Sequence, residues 1–170
     1  MADLSENEKQ HYRDIIGKVR QQQSIGHAVF TGTLAAICGS VLWAYVAIQT
    51  GYFFSFVAVL VGAAIGFVVQ FVGKGVEVKF SFLGMALAIF SCLLGYYLCF
   101  IRLQMYAGYS VNDALSIPLS EIFKNIGHGF WFMDLIFLVI AAGMGFIFAR
   151  RKLNPHENDA FFKEEVGLLD

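Results

Sequence analysis

Residues 61–75 read VGAAIGFVVQFVGKG, four glycines and one glutamine in an apolar run that stops at a lysine. Glycines followed by lysine suggest a phosphate loop; glycines at helical spacing in an apolar segment suggest close contact between helices in lipid. A phosphate loop needs G-x-x-x-x-G-K-[ST] between a strand and a helix, with its backbone amides free for the ligand. Here Lys74 is followed by Gly75, and the glycines lie within the apolar run 52–73. Hydrocarbon requires backbone amides to be satisfied inside a helix. The stretch therefore reads as a transmembrane helix, and nucleotide binding is rejected.

Gly62 and Gly66 form a G-x-x-x-G pair, and Gly73 lies about 20° from Gly62 around a helical wheel, so the three make a stripe without side chains. Apolar contact supplies little drive between helices in lipid, and small residues let backbones approach until van der Waals contact accumulates. Candidate opposing surfaces are Gly32, Ala36 and Ser40 in the first span, and Gly84 with Ala88 and Ser91 with Gly95 in the third. Gln70, beside the stripe, is suited to an interhelical hydrogen bond.

The whole chain fits the same solvent. It has 170 residues, 58% hydrophobic and 15% charged, where soluble domains are roughly 45–50% apolar and about 25% charged. The predicted fold is an all-α membrane protein with four transmembrane helices over 28–49, 52–73, 80–101 and 130–149, each near the 20 or so residues that cross a bilayer. Residues 1–27 precede them as a cytosolic amphipathic helix, opened by the capping box Ser5 and Glu8 and striped by Tyr12, Ile15, Ile16 and Val19. The outer loop 102–129 carries a short interfacial helix over 118–126, and 150–170 form a cytosolic tail. Phe161, Phe162, Val166, Leu168 and Leu169 give that tail apolar side chains for docking, on the chain's own N-terminal helix or on a partner.

Basic residues fix the orientation. With the N-terminus in the cytosol, ten lie inside and two, Arg102 and Lys124, outside; both termini are then cytoplasmic. A net charge of −1 gives no field for nucleic acid. Nothing over 1–27 resembles a cleavable signal peptide.

Candidate chemistry is sparse. Asp134 is the one acid within a span, near the outer end of the fourth helix, and Arg102 at the outer end of the third is placed to pair with it. The cysteines Cys38, Cys92 and Cys99 fall in apolar runs and the four histidines are scattered, so no metal site, cofactor or catalytic residue is assigned.

The run Gly62-x-x-x-Gly66-x-x-x-Gln70-x-x-Gly73-x-Gly75, followed by a third span with Gly84 and Gly95, resembles uncharacterised small bacterial four-helix inner-membrane proteins, although those are expected to carry a basic residue where Gln70 stands. The resemblance implies a bacterial inner membrane and no particular activity. The resulting expectation is a non-catalytic accessory or scaffold subunit of a membrane complex. Its partners are the lipid bilayer and other membrane subunits or copies of itself. A small oligomeric transporter or channel is the alternative, and an enzyme acting on a lipid or quinone the third reading.

Overall fold

A computed structural model describes residues 4–50, 55–118, 120 and 132–169. Seven helices are seen among them: α1 (Glu6–Gln22), α2 (Ile25–Thr50), α3 (Ser55–Gly73), α4 (Val78–Tyr106), α5 (Val111–Ser116), α6 (Phe132–Phe148) and α7 (Pro155–Glu165). Of the chain's two prolines, Pro118 follows α5 and Pro155 opens α7 at a first-turn position, so neither interrupts a helix.

The chain is an all-α, multi-pass membrane protein. Among the described residues, three helices are long and apolar enough to cross a bilayer, over Ile25–Gln49, Phe56–Gly73 and Val78–Tyr106. Between their ends the exposed positions are mostly apolar: Phe71 is 84% exposed and Phe30 67%, a pattern that water would penalise and lipid accepts. The fourth apolar helix, α6, has 17 residues. That is about 26 Å of helix against a hydrocarbon core of about 30 Å.

Helix boundaries depart from the expected spans where the chain carries no stop signal. α4 continues past residue 101 to Tyr106, because Leu103, Met105 and Tyr106 keep the sequence apolar and Gly108, at φ +94°, is the first residue to break it. The helix α5 was not expected; Ser110 caps it by accepting from the Asp113 amide at 3.2 Å. The outer helix expected over 118–126 falls largely outside the described residues. The tail, to which no helix was assigned, forms α7 behind an Asn154–Glu157 capping box.

Contacts place the four apolar helices in a ring of order α2, α3, α6, α4, with α3 and α4 also touching across the short diagonal. Gly39 meets Val61 and Gly32 meets Val69, so α2 and α3 run antiparallel. Gly62 meets Ala141 and Gly66 meets Phe148, so α3 and α6 run parallel. The helices α1 and α7 pack together at one end of the bundle.

Candidate functional site

The interior is built on backbone contact. A Cβ added to Gly62 would lie 2.4 Å from the Ala141 carbonyl oxygen, and one on Gly66 2.9 Å from Phe148 Cβ and 3.1 Å from the Gly145 oxygen. Gly84 and Gly145 meet reciprocally: a Cβ on either would lie 2.4 or 2.6 Å from the other's carbonyl oxygen. The surface opposite the Gly62–Gly66 stripe is therefore α6, and not the first or third span offered as its match. The residues that receive it are Ala141, Gly145 and Ala149, all small and all buried. Their fourfold spacing, A-x-x-x-G-x-x-x-A, was readable in the sequence beside the stripes singled out.

The remaining small residues fill other seams. Gly73 sits against Ala28 and the Phe80 ring, Gly32 against Leu87 and Val69, and Gly95 beneath Trp43, whose indole packs edge-on to Tyr96 at 4.8 Å between centroids. Ala88 lies at the Gly84–Gly145 crossing. Ser91 donates across the bundle to the Ala36 carbonyl at 2.8 Å, while Ser40 bonds back to Ile37 within its own helix at 2.7 Å.

Polar contacts collect at the end that carries the termini. Gln70 donates from Nε2 to the Arg150 carbonyl at 2.9 Å, a bond between α3 and the segment leaving α6. The Ser24 amide donates to the Gly73 carbonyl at 3.0 Å, and the Arg151 amide to the Gly75 carbonyl at 2.8 Å. The bond to Gly73 satisfies a carbonyl that the end of α3 leaves without a partner, and the others tie down the segments that follow α3 and α6. Lys74 stands at φ 48°, the left-handed position that glycine usually takes after a helix.

Beyond this floor, α1 and α7 form a clasp that the sequence reading left open. Ile16, Ala160 and Leu169 make its buried centre, with Tyr12, Ile15 and Phe161 around them. Lys163 Nζ donates to the Tyr12 hydroxyl at 2.6 Å and to Asp159 Oδ2 at 2.7 Å, and lies 3.9 Å from the Tyr12 ring centroid. Arg20 pairs with Glu164 at 3.1 Å, and Arg13 donates to the Leu169 carbonyl. The hydrogen bond from Lys163 holds the Asp159 carboxyl below its ordinary range, and bonds to Asp159 and then Tyr12 hold Lys163 above its own. Serine hydrogen bonds at the α1 cap likewise lower Glu8.

Between α7 and the turn that precedes α4 lies an open cleft of about 680 Å³. Its lining combines apolar side chains, among them Val78, Leu153 and Phe162, with three carboxylates, Glu77, Asp159 and Glu165.

The outer pair is not assembled by the described residues. Arg102 lies 4.8 Å over the Tyr106 ring, and the Asp134 side chain lies outside the described set. Among the described residues no three His, Cys, Asp or Glu gather as a metal site. Comparisons of the chain with family models, curated proteins and solved structures found no match.

Proposed function

We propose that the chain is a non-catalytic accessory or scaffold subunit of a membrane protein complex in a bacterial inner membrane, with α6 as its fourth span and both termini cytoplasmic. The observation that carries this reading is the character of the bundle interior. Among the described residues, its fully buried polar side chains are three serines, and two of them bond backbone carbonyls. A conduction path needs polar or ionisable groups along a wet route, so this interior favours a packed membrane anchor over a transporter. The cytosolic placement is supported by the clasp, which gathers both termini at the end bearing Lys74, Lys79, Arg150, Arg151 and Lys152.

Native purification in mild detergent with mass spectrometry is the direct test. A stoichiometric partner is the expected result. A lone homo-oligomer that supports ion flux in liposomes would overturn the proposal in favour of a transporter. Cysteine labelling at residue 165 and at residue 109 should report opposite sides of the membrane, with residue 165 inside.

A further inference from the structure

The backbone at the floor of the bundle is stitched so that cations gather. The Lys74 amide donates to the Gln70 carbonyl at 2.9 Å, Gln70 Nε2 donates to the Arg150 carbonyl at 2.9 Å, and the Arg151 amide donates to the Gly75 carbonyl at 2.8 Å. The chain leaving α3 is thereby held against the chain leaving α6, with Lys74 and Gly75 beside Arg150 and Arg151. Part of this charge is neutralised: Lys79 pairs with Glu77 at 2.8 Å and Arg151 with Glu157 at 2.6 Å. Lys74, Arg150 and Lys152 are exposed and have no ion pair among the described residues.

These three free cations stand where the apolar helices end, α3 at Gly73 and α6 at Phe148. Just inside that boundary the outward side chains are Phe71 and Ile147, both well exposed. The Arg150 guanidinium lies 5.8 Å from the centroid of the Phe146 ring, and Phe146 packs edge-on against Phe82 of α4 at 5.5 Å between centroids. One turn further from the floor, α6 carries Gly143. A Cβ added there would meet no heavy atom within 4 Å, and the residue lies about 160° around the helical wheel from both Ala141 and Gly145, which face the interior. A notch without a side chain thus opens on the outer side of α6, beneath an aromatic ring that carries a free guanidinium.

We infer that Lys74 and Arg150, with Lys152 beside them, hold the phosphodiester headgroup of an anionic phospholipid, and that one of its acyl chains runs along α6 across the Gly143 notch; this rests on α6 being the fourth span and not on the accessory role. Basic sites between membrane helices at the headgroup level recognise such headgroups, and a guanidinium matches two phosphate oxygens at once. Charge and depth together select the occupant. A zwitterionic headgroup brings its own cation to a place that already holds three, and a second copy of this face would bring the same three again. An acidic protein segment would meet the charge but leave the apolar notch below it uncovered. A lipid with net negative charge satisfies both.

The test uses the full chain in detergent micelles doped with equal amounts of phosphatidylglycerol and phosphatidylcholine of identical acyl chains, with retained lipid counted by native mass spectrometry. Phosphatidylglycerol should be retained in preference. Lys74→Gln and Arg150→Gln should each lower that retention about fivefold, the contribution of one basic residue near a membrane surface. Lys18→Gln, which removes an exposed cation from α1, should leave it unchanged. Gly143→Leu should weaken retention while the preference for the anionic headgroup persists, and excess glycerol phosphate should not displace the lipid. An unchanged unfolding midpoint verifies that each variant keeps its fold.

Equal retention of the two lipids overturns the inference, as does unchanged retention in the folded Lys74 and Arg150 variants or in folded Gly143→Leu. An equal loss from Lys18→Gln reduces the effect to diffuse charge, and displacement by glycerol phosphate makes a free phosphate the ligand; either result removes the lipid site. Cysteine labelling at residues 109 and 165 separates this failure from that of the reading beneath it. Labels on opposite sides with no lipid preference remove the site alone, whereas labels on the same side remove α6 as a span and the site with it.

Discussion

Replacing Gly62 by alanine adds one methyl group at one of the two closest backbone approaches among the described residues. Its carbon would stand 2.4 Å from the Ala141 oxygen, about 1 Å short of the 3.4 Å at which ordinary contact begins. The obstacle is backbone, so no rotamer change can clear it, and α3 and α6 must separate. A gap of 0.5–1 Å already forfeits about a quarter to a half of each dispersion contact along the seam. Overpacking of this kind costs about 1–3 kcal/mol. The helix-forming advantage of alanine over glycine, up to about 1 kcal/mol in water, offsets part of that cost. Gly143→Ala provides the control on α6, because its added carbon meets no heavy atom within 4 Å and should leave stability unchanged or raised. Equilibrium unfolding in mixed micelles with increasing SDS, followed by circular dichroism, should place Gly62→Ala about 1–2 kcal/mol below the parent and Gly143→Ala at or above it. Equal midpoints for the two variants would refute the α3–α6 packing argument.

Four further outcomes follow. Gly84→Ala and Gly145→Ala widen one and the same crossing, so the double variant should lose less than the two singles together, measured as a coupling in the same unfolding assay. Ser91→Ala removes the bond to the Ala36 carbonyl and should cost about 0.6 kcal/mol and under about 1.7, the range for interhelical bonds in lipid. Lys74→Gly relieves a left-handed lysine and should stabilise by about 1 kcal/mol in thermal or SDS unfolding. The clasp should hold at neutral pH and loosen at both extremes, read as hydrogen exchange of α7 amides. Asp159 is lowered from 3.8, so its contribution is present above that value and disappears as pH falls through the folded-state pKa; Lys163 is raised from 10.5, so its contribution is present below that value and disappears as pH rises through the folded-state pKa.

Much of the membrane character was legible because hydrocarbon imposes a length and an exclusion rule that any sequence must obey. Apolar runs without Lys or Arg identify α2, α3 and α4, and the stop at Gly73-Lys74-Gly75 marks a helix end. Partner choice was not legible in the same way. Gly62 and Gly66 announce that some backbone must come close, but glycine has no side chain whose chemistry selects a partner. Three other helices carried small residues at the same spacing. The pairing with α6 depends on the ring order and on the parallel course of α3 and α6, which are properties of the assembled bundle. The clasp was left undecided for a related reason. Tyr12 and Lys163 are 151 residues apart, and neither looks special without the other. Pro155 behind Asn154, with Glu157 three residues on from the asparagine, was a helix-start signal that the reading of the tail passed over.

The position of the glycines constrains where a partner can touch. Gly62, Gly66, Gly84, Gly95 and Gly145 all face atoms of their own chain at distances too short for a methyl group. They are occupied, and among the described residues a partner helix in lipid is left mainly with outward Phe, Leu and Val side chains, which lipid tails satisfy equally well, and with Gly143 of α6, which has open space before it. Such faces give a partner little selectivity, since association in lipid relies on close backbone approach or polar bonds. Water restores the hydrophobic drive that lipid removes. Selective recognition is thus more readily built outside the bilayer, where the exposed Phe162 lines the cleft between α7 and the turn before α4.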